Sequence, residues 1–188
     1  WNWLSYLPSF NSDLGNALKS LTPNQNDLIK SQTQFAQYVS DVGWVGNLKR
    51  LKPGEGYKIQ MANADTLTYP YIMSGQSAKK LDKEVVYPEA PWDTVMWRNY
   101  KNSMNVTAII DDKIVKEINS PEDVVVAISS GEIRGFARPE FIEGIDSYRL
   151  FMTVFSNSSS GEIIELKFWD ADRDIIYSSN ENLSFTNN

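Results

Sequence analysis

From Trp97 to the end of the chain the pattern is strand-like throughout, mostly with a period of two, and this is the strongest constraint on the fold. "NVTAIID" alternates. "DVVVAIS" is an unbroken β-branched run that fits a buried strand, and "YRLFMTVFS" sets Tyr148, Leu150, Met152 and Val154 against Arg149, Phe151, Thr153 and Phe155. "EIIELKFWD", "DIIYS" and "LSF" complete the series. Turn formers separate these runs at Asp111-Asp112, Ser130-Gly131, Glu143-Gly144 and Ser158 to Gly161. Strands spaced roughly ten residues apart with such turns predict a β-sandwich.

The first part of the chain is patterned differently. "WNWLSYLP" reads as a strand with Trp1 and Trp3 on one face and Asn2, Leu4 and Tyr6 on the other. In "NSDLGNALKSLTP", Asn11 or Ser12 is a cap for a short amphipathic helix. Leu14, Ala17, Leu18 and Leu21 form its stripe and Pro23 follows its end. "DLIKSQTQFAQYV" reads as one strand, followed by a turn near Asp41 to Gly43 and short strands in "WVGNLKRL", "GYKIQM" and "TLTYP". Tyr71 to Asp93 has a Lys-rich polar middle and two prolines, the composition of a linker. The expectation is a mainly β protein of two small β-sandwich-like domains, the first with one short α-helix: residues 1–70, a linker over 71–96, and residues 97–188.

Composition removes function classes more than it supplies them. The 188 residues contain no cysteine and no histidine, which excludes Cys/His zinc sites, thiol nucleophiles, a Ser-His-Asp triad and any histidine base. The formal net charge is -6 with the charges interspersed, so no basic stripe is available to neutralise a phosphate backbone, and nucleic acid is not expected as a partner. No apolar run approaches the roughly 18 residues of a membrane span, so membrane insertion is not expected. The opening "WNWLSYLP" lacks a methionine or signal peptide, and the expectation is a piece of a longer chain. Among 24 acidic residues no spacing selects a catalytic pair, and the reading is of a protein that is not an enzyme.

Two segments carry a resemblance. "WNWLSYLP", "DLIKSQTQFAQY", "GWVGNLKRLKPGEGYKI" and "TLTY" together resemble a module of large secreted and surface proteins of Bacteroidota and related bacteria, in which a Trp-Asn strand precedes a Pro-Gly-x-Gly-Tyr corner. "DVVVAISSGEIRGFARP" with "YRLFMTVFSNSSSGEIIELKFWDAD" resembles the module that commonly follows it. Asp123, Val125, Ala127, Glu132, Arg134 and Gly135 match its Asp-x-Val-x-Ala and Glu-x-Arg-Gly pattern. The resemblance implies an extracellular or cell-surface protein and brings no catalytic residues with it. Such modules accompany adhesins and polysaccharide-active enzymes. The implied role is recognition or attachment, with polysaccharide as favoured ligand and a surface protein second. The alternatives are a structural spacer or assembly unit, and an accessory part of a polysaccharide-degrading enzyme.

Three places are candidates for that role. The corner Pro53-Gly54-Glu55-Gly56 is a hairpin turn in which Gly54 takes positive φ and Gly56 permits close backbone approach. Trp44 and Tyr57 pack across it or offer rings to a sugar, with Asn47 and Gln60 nearby. In "WDTVMWRNY", Trp92, Trp97, Arg98 and Tyr100 are expected to clasp the two domains or to line a cleft between them. In "DADRD", the alternating Asp170, Asp172 and Asp174 resemble the early ligands of a calcium loop, but the glycine and bidentate glutamate of an EF-hand are missing. A solvated acidic turn is the competing reading, and calcium is the one cofactor considered. Glu132 and Arg134 in "GEIRG", two apart on one strand face, read as an ion pair.

Overall fold

The computed structural model describes residues 1–70, 90–92, 95–109 and 120–187. The protein is mainly β, built from several antiparallel sheets with one short α-helix among the described residues. Its two compact units are Trp1–Val85 and Val86–Asn188. Most of the expected linker, and the Asp111-Asp112 turn, lie outside the described residues. No helix among the described residues is long and apolar enough to cross a membrane.

In the first unit, strands β1 (Asn2–Ser5), β3 (Leu28–Lys30), β4 (Phe35–Val39), β5 (Gly43–Gly46) and β7 (Gly56–Gln60) form one antiparallel sheet in the order β1-β7-β3-β4-β5. β2 (Ser12–Asp13) and β6 (Arg50–Leu51) pair separately. Helix α1 covers only Leu14–Ala17, and no side chain caps it. Gly15 and Asn16 are poor helix formers, so one turn is all that packing enforces. Leu14, Ala17 and Leu18 are buried against Ile29, Ala36, Leu48, Leu51, Tyr57 and Ile59. That covers one face of the sheet.

Two strand expectations are corrected here. "DLIKSQTQFAQYV" is a hairpin and not one strand: Ser31 N–H donates to the Gln34 carbonyl at 2.8 Å, and the Ser31 hydroxyl accepts from Gln34 N–H at 3.1 Å. A serine side chain standing in for the ladder turns the chain back. "TLTYP" forms no strand. Side chains hold it instead, through the Tyr69 hydroxyl to the Ser5 carbonyl (2.8 Å) and the Thr68 N–H to the Ser20 hydroxyl (2.8 Å).

In the second unit, β9 (Val124–Ser129), β10 (Glu132–Ala137), β13 (Ser160–Asp170) and β14 (Ile175–Ser178) form a sheet in the order β10-β9-β13-β14, with β15 (Leu183–Thr186) also paired to β13. β8 (Asn102–Ile109), β11 (Glu140–Ile142) and β12 (Ser147–Ser156) form the second sheet, ordered β11-β12-β8. The core between them joins Val125, Ala127, Ala137 and Ile164 of the first sheet to Met104, Leu150, Met152 and Val154 of the second, with Phe185 of β15. This is β-sandwich-like packing, and the inward residues of β12 are those selected by the period of two. The β9-β10 hairpin turns through Ser130 and Gly131, both at positive φ, which matches the twist of the flanking strands.

Candidate functional site

The Pro-Gly corner is a type II turn. Glu55 N–H donates to the Lys52 carbonyl at 3.2 Å, with Pro53 first and Gly54 (φ 75°) second inside the turn. Gly56 was expected to make room for a neighbouring backbone, but nothing lies within 4 Å of where its Cβ would stand. The close approaches occur at Gly46 and Gly135 instead. A Cβ at Gly46 would lie 2.3 Å from the Phe35 carbonyl oxygen, and one at Gly135 would lie 2.5 Å from the Thr153 oxygen.

Tyr57 presents no ring to solvent. It is 1% exposed, and its hydroxyl accepts from Lys52 N–H and donates to Glu55 Oε2, both at 2.9 Å. Burial pushes its phenol up to about 12. Trp44 does not pack across the corner with Tyr57, because β3 and β4 separate β5 from β7. It is half-buried at the margin of the core, edge-on to Tyr38 at 5.5 Å between centroids. Asn47 is occupied as well, its side-chain oxygen accepting from Phe35 N–H at 2.9 Å. Gln60 is exposed on the opposite face of the sheet.

Trp92 to Tyr100 belongs to the second unit. Trp92 is half-buried against Ala90, Val124 and Trp169. Trp97 opens a 3₁₀ turn, Trp97–Asn99, and the Arg98 guanidinium lies 4.6 Å from its ring centre. Tyr100 belongs to a different group. Its ring lies 4.7 Å from the Arg134 guanidinium, stacks near Phe155, and its hydroxyl donates to Glu132 at 3.4 Å. The four residues thus have different partners: Trp92 packs on a core margin, Trp97 and Arg98 pair in a 3₁₀ turn, and Tyr100 joins an ion cluster.

That ion cluster was only partly legible. Arg134 is the extra residue of a β-bulge, since Ile133 pairs with Ile128 and Gly135 with Ala127. The bulge aims a guanidinium that is 8% exposed toward two carboxylates, Glu162 at 2.9 Å and Glu132 at 3.5 Å. The Ser156 hydroxyl donates to Glu162 in turn. Burial pushes the Glu162 carboxyl up, but hydrogen bonds from Ser156 and Ser129 and the charge of Arg134 outweigh it and hold it below the ordinary value. An arginine bound to two carboxylates and roofed by a phenol is a clasp, closed on the Glu162 side and open to solvent at Glu132, whose side chain is 66% exposed.

The acidic turn is likewise inward-looking. Asp170 is 2% exposed, accepts from Arg173 N–H at 3.0 Å and pairs with its guanidinium at 3.3 Å. Asp174 accepts from the Trp169 indole at 3.0 Å, and Asp172 is exposed. Across the ladder, buried Asp123 accepts from Ala171 N–H at 3.0 Å and from Ser120 N–H at 3.4 Å. Burial, with Asp170 and Asp172 adding to it, raises the Asp123 carboxyl. No three acidic side chains among the described residues are grouped to hold a metal ion, so this turn gives the calcium expectation no support. Hydrogen bonds and an ion pair engage Asp123, Asp170 and Asp174, while Asp172 stands in solvent.

The most exposed large aromatic lies elsewhere. Among the described residues Trp3, on β1 at the edge of the first sheet, is 78% exposed, and Trp1, immediately before β1, is 47% exposed. The register Trp3-Lys58-Lys30 across β1, β7 and β3 places three side chains in one row on the face opposite the α1 core. Lys58 Nζ lies 4.7 Å from the Trp3 ring centre, and Lys30 Nζ lies 4.9 Å from that of Trp1. Sequence reading had put Trp1 and Trp3 on a common face but had no means of knowing that β7 would lie beside them. The chain matches no protein-family model, no curated protein and no solved structure.

Proposed function

We propose that this chain is a non-catalytic recognition or attachment module of an extracellular or cell-surface bacterial protein, and that its favoured ligand is a polysaccharide. One observation carries the reading: two indoles, Trp3 on the edge strand and Trp1 just before it, stand 78% and 47% accessible, each against a lysine of the same sheet face. An open indole matches the C–H face of a sugar ring, and the amide of Gln60 and hydroxyl of Ser5 on the same face supply hydroxyl partners. Successive rings on a strand face are ~7 Å apart, a repeat along which an extended sugar chain can lie. The binding place is therefore moved from the expected Trp92, Trp97 and Trp44 to Trp1 and Trp3.

The second reading, a structural spacer, is favoured by the packing of Trp44 and Trp92 on core margins and the burial of Tyr57. The two readings separate in affinity electrophoresis through plant, algal and bacterial polysaccharides. Retardation that Trp3→Ala abolishes while the far-UV spectrum is unchanged is expected for recognition. Retardation that is insensitive to Trp3→Ala places recognition away from this face, and absence of retardation from every gel leaves the spacer.

A further inference from the structure

We infer that the Trp1-Trp3 face selects polyanionic polysaccharide, a chain bearing uronate carboxylates or sulfate esters; this rests on the recognition reading above. The argument starts from register. On the face shared by Trp3, the strand positions are Ser5 on β1; Gly56, Lys58 and Gln60 on β7; Leu28 and Lys30 on β3; Phe35, Gln37 and Val39 on β4; Gly43 and Val45 on β5. None of them is acidic, in a chain whose formal net charge is -6. Lysines 58 and 30 are direct cross-strand neighbours, Lys58 half-buried at the surface and Lys30 only 7% exposed beneath it, so that Lys58 is the cation a ligand meets. Like charges opposite one another on a sheet repel, and their proximity shows in the Lys30 amine, which burial and then Lys58 push below its ordinary value.

Lys58 is paired with no carboxylate among the described residues and rests only on the Trp3 ring. An anionic sugar there gains two things at once, a ring stacked on indole and a charge-assisted bond to an ammonium. Space is available for it. Gly56, two residues before Lys58 on the same face and opposite Ser5, contributes no side chain, and nothing stands within 4 Å of where its Cβ would be. A neutral polymer would engage the rings but leave the Lys58 ammonium unanswered.

The experiment is binding of the whole 188-residue chain to polygalacturonate, alginate and a sulfated galactan, beside neutral xyloglucan and mannan, at low and high salt. Lys58→Met keeps the apolar stem, Lys58→Arg keeps the charge, and Trp3→Ala removes the ring. Expected is retention by at least one anionic polymer, weakened about tenfold or more by Lys58→Met and by high salt, restored in part by Lys58→Arg, and lost in Trp3→Ala. Equal binding of neutral polymers by the native chain and Lys58→Met would overturn the anionic selectivity while leaving recognition in place. Failure to bind any polymer overturns both. Two controls, duplex DNA and phosphatidylserine vesicles, guard against charge alone: binding of either that matches the polysaccharide and survives Trp3→Ala also overturns it.

Discussion

Arg134 in the second unit and Lys58 in the first each hold a cation 4.7 Å from an aromatic ring centre, yet the two pairs live in opposite surroundings. Arg134 is 8% exposed, bound to Glu132 and Glu162, and roofed by Tyr100. Lys58 is half-buried on an indole that is 78% exposed, with no carboxylate partner among the described residues. A buried charge must be compensated by its own protein, because desolvation leaves no other source of compensation. A charge at the solvent boundary carries less of that demand, because water supplies part of the compensation. The contrast separates a clasp from a platform more reliably than residue type does.

The largest effect is expected where compensation is removed. Arg134→Met leaves Glu162 facing an apolar chain in a confined site and should cost about 3 kcal/mol in urea unfolding. A loss indistinguishable from that of an average surface substitution would show that the cluster is ornamental. Next is the glycine beside it. Gly135→Ala drives a Cβ to 2.5 Å from the Thr153 carbonyl, backbone that cannot rotate away, and should cost about 2 kcal/mol. If stability holds, β10 approaches β12 less closely than described.

The pH dependence of the clasp follows from Glu162. Its folded carboxyl titrates below its ordinary value of 4.5, so the stabilisation is present above that value and is lost as pH falls through the lower folded one. Asp123, raised by burial, contributes with the opposite sign, so the measurement is a difference between variants. The stability gap between the native chain and Glu162→Gln should therefore shrink as pH drops below about 4.5. A gap constant from pH 7 to pH 3 would mean that the charge of Glu162 is not what matters.

The smallest structural effect belongs to the platform. Trp3→Ala and Lys58→Met should each move stability by no more than ~0.5 kcal/mol, since neither side chain fills a core. The same substitutions should have the largest effect on polysaccharide retention. Unfolding by either one would make the platform a packing element and end the comparison.

Much of the fold was open to inspection in the sequence. The alternation in "YRLFMTVFS" named the inward residues of β12, and "DVVVAIS" announced a strand covered on both faces, as the burial of Val124, Val125, Val126 and Ala127 bears out. The corner at Pro53-Gly54 was legible because proline fixes one φ and glycine alone readily takes the next. The misreadings share a cause. "SQTQ" alternates as a strand does, and only the Ser31 hydroxyl, by satisfying the Gln34 N–H, makes it a turn. Asp170 and Asp174 are spaced like metal ligands, but Arg173 and the Trp169 indole reached them first. The bulge at Arg134 has no signature in spacing at all.

What the sequence determined by itself is local: strand period, turn corners, the place of one short helix, and the absence of thiol and imidazole chemistry. These follow from sterics and covalent identity within a few residues. Which aromatic rings face water was decided only by tertiary structure. Trp3 and Tyr57 sit on neighbouring strands, β1 and β7, one residue out of register with each other, and the pleat sends one to solvent and the other into the core. That outcome requires β1 to pair with a strand some fifty residues away and α1 to cover a single face. Burial depends on such distant partners, and no local pattern contains them.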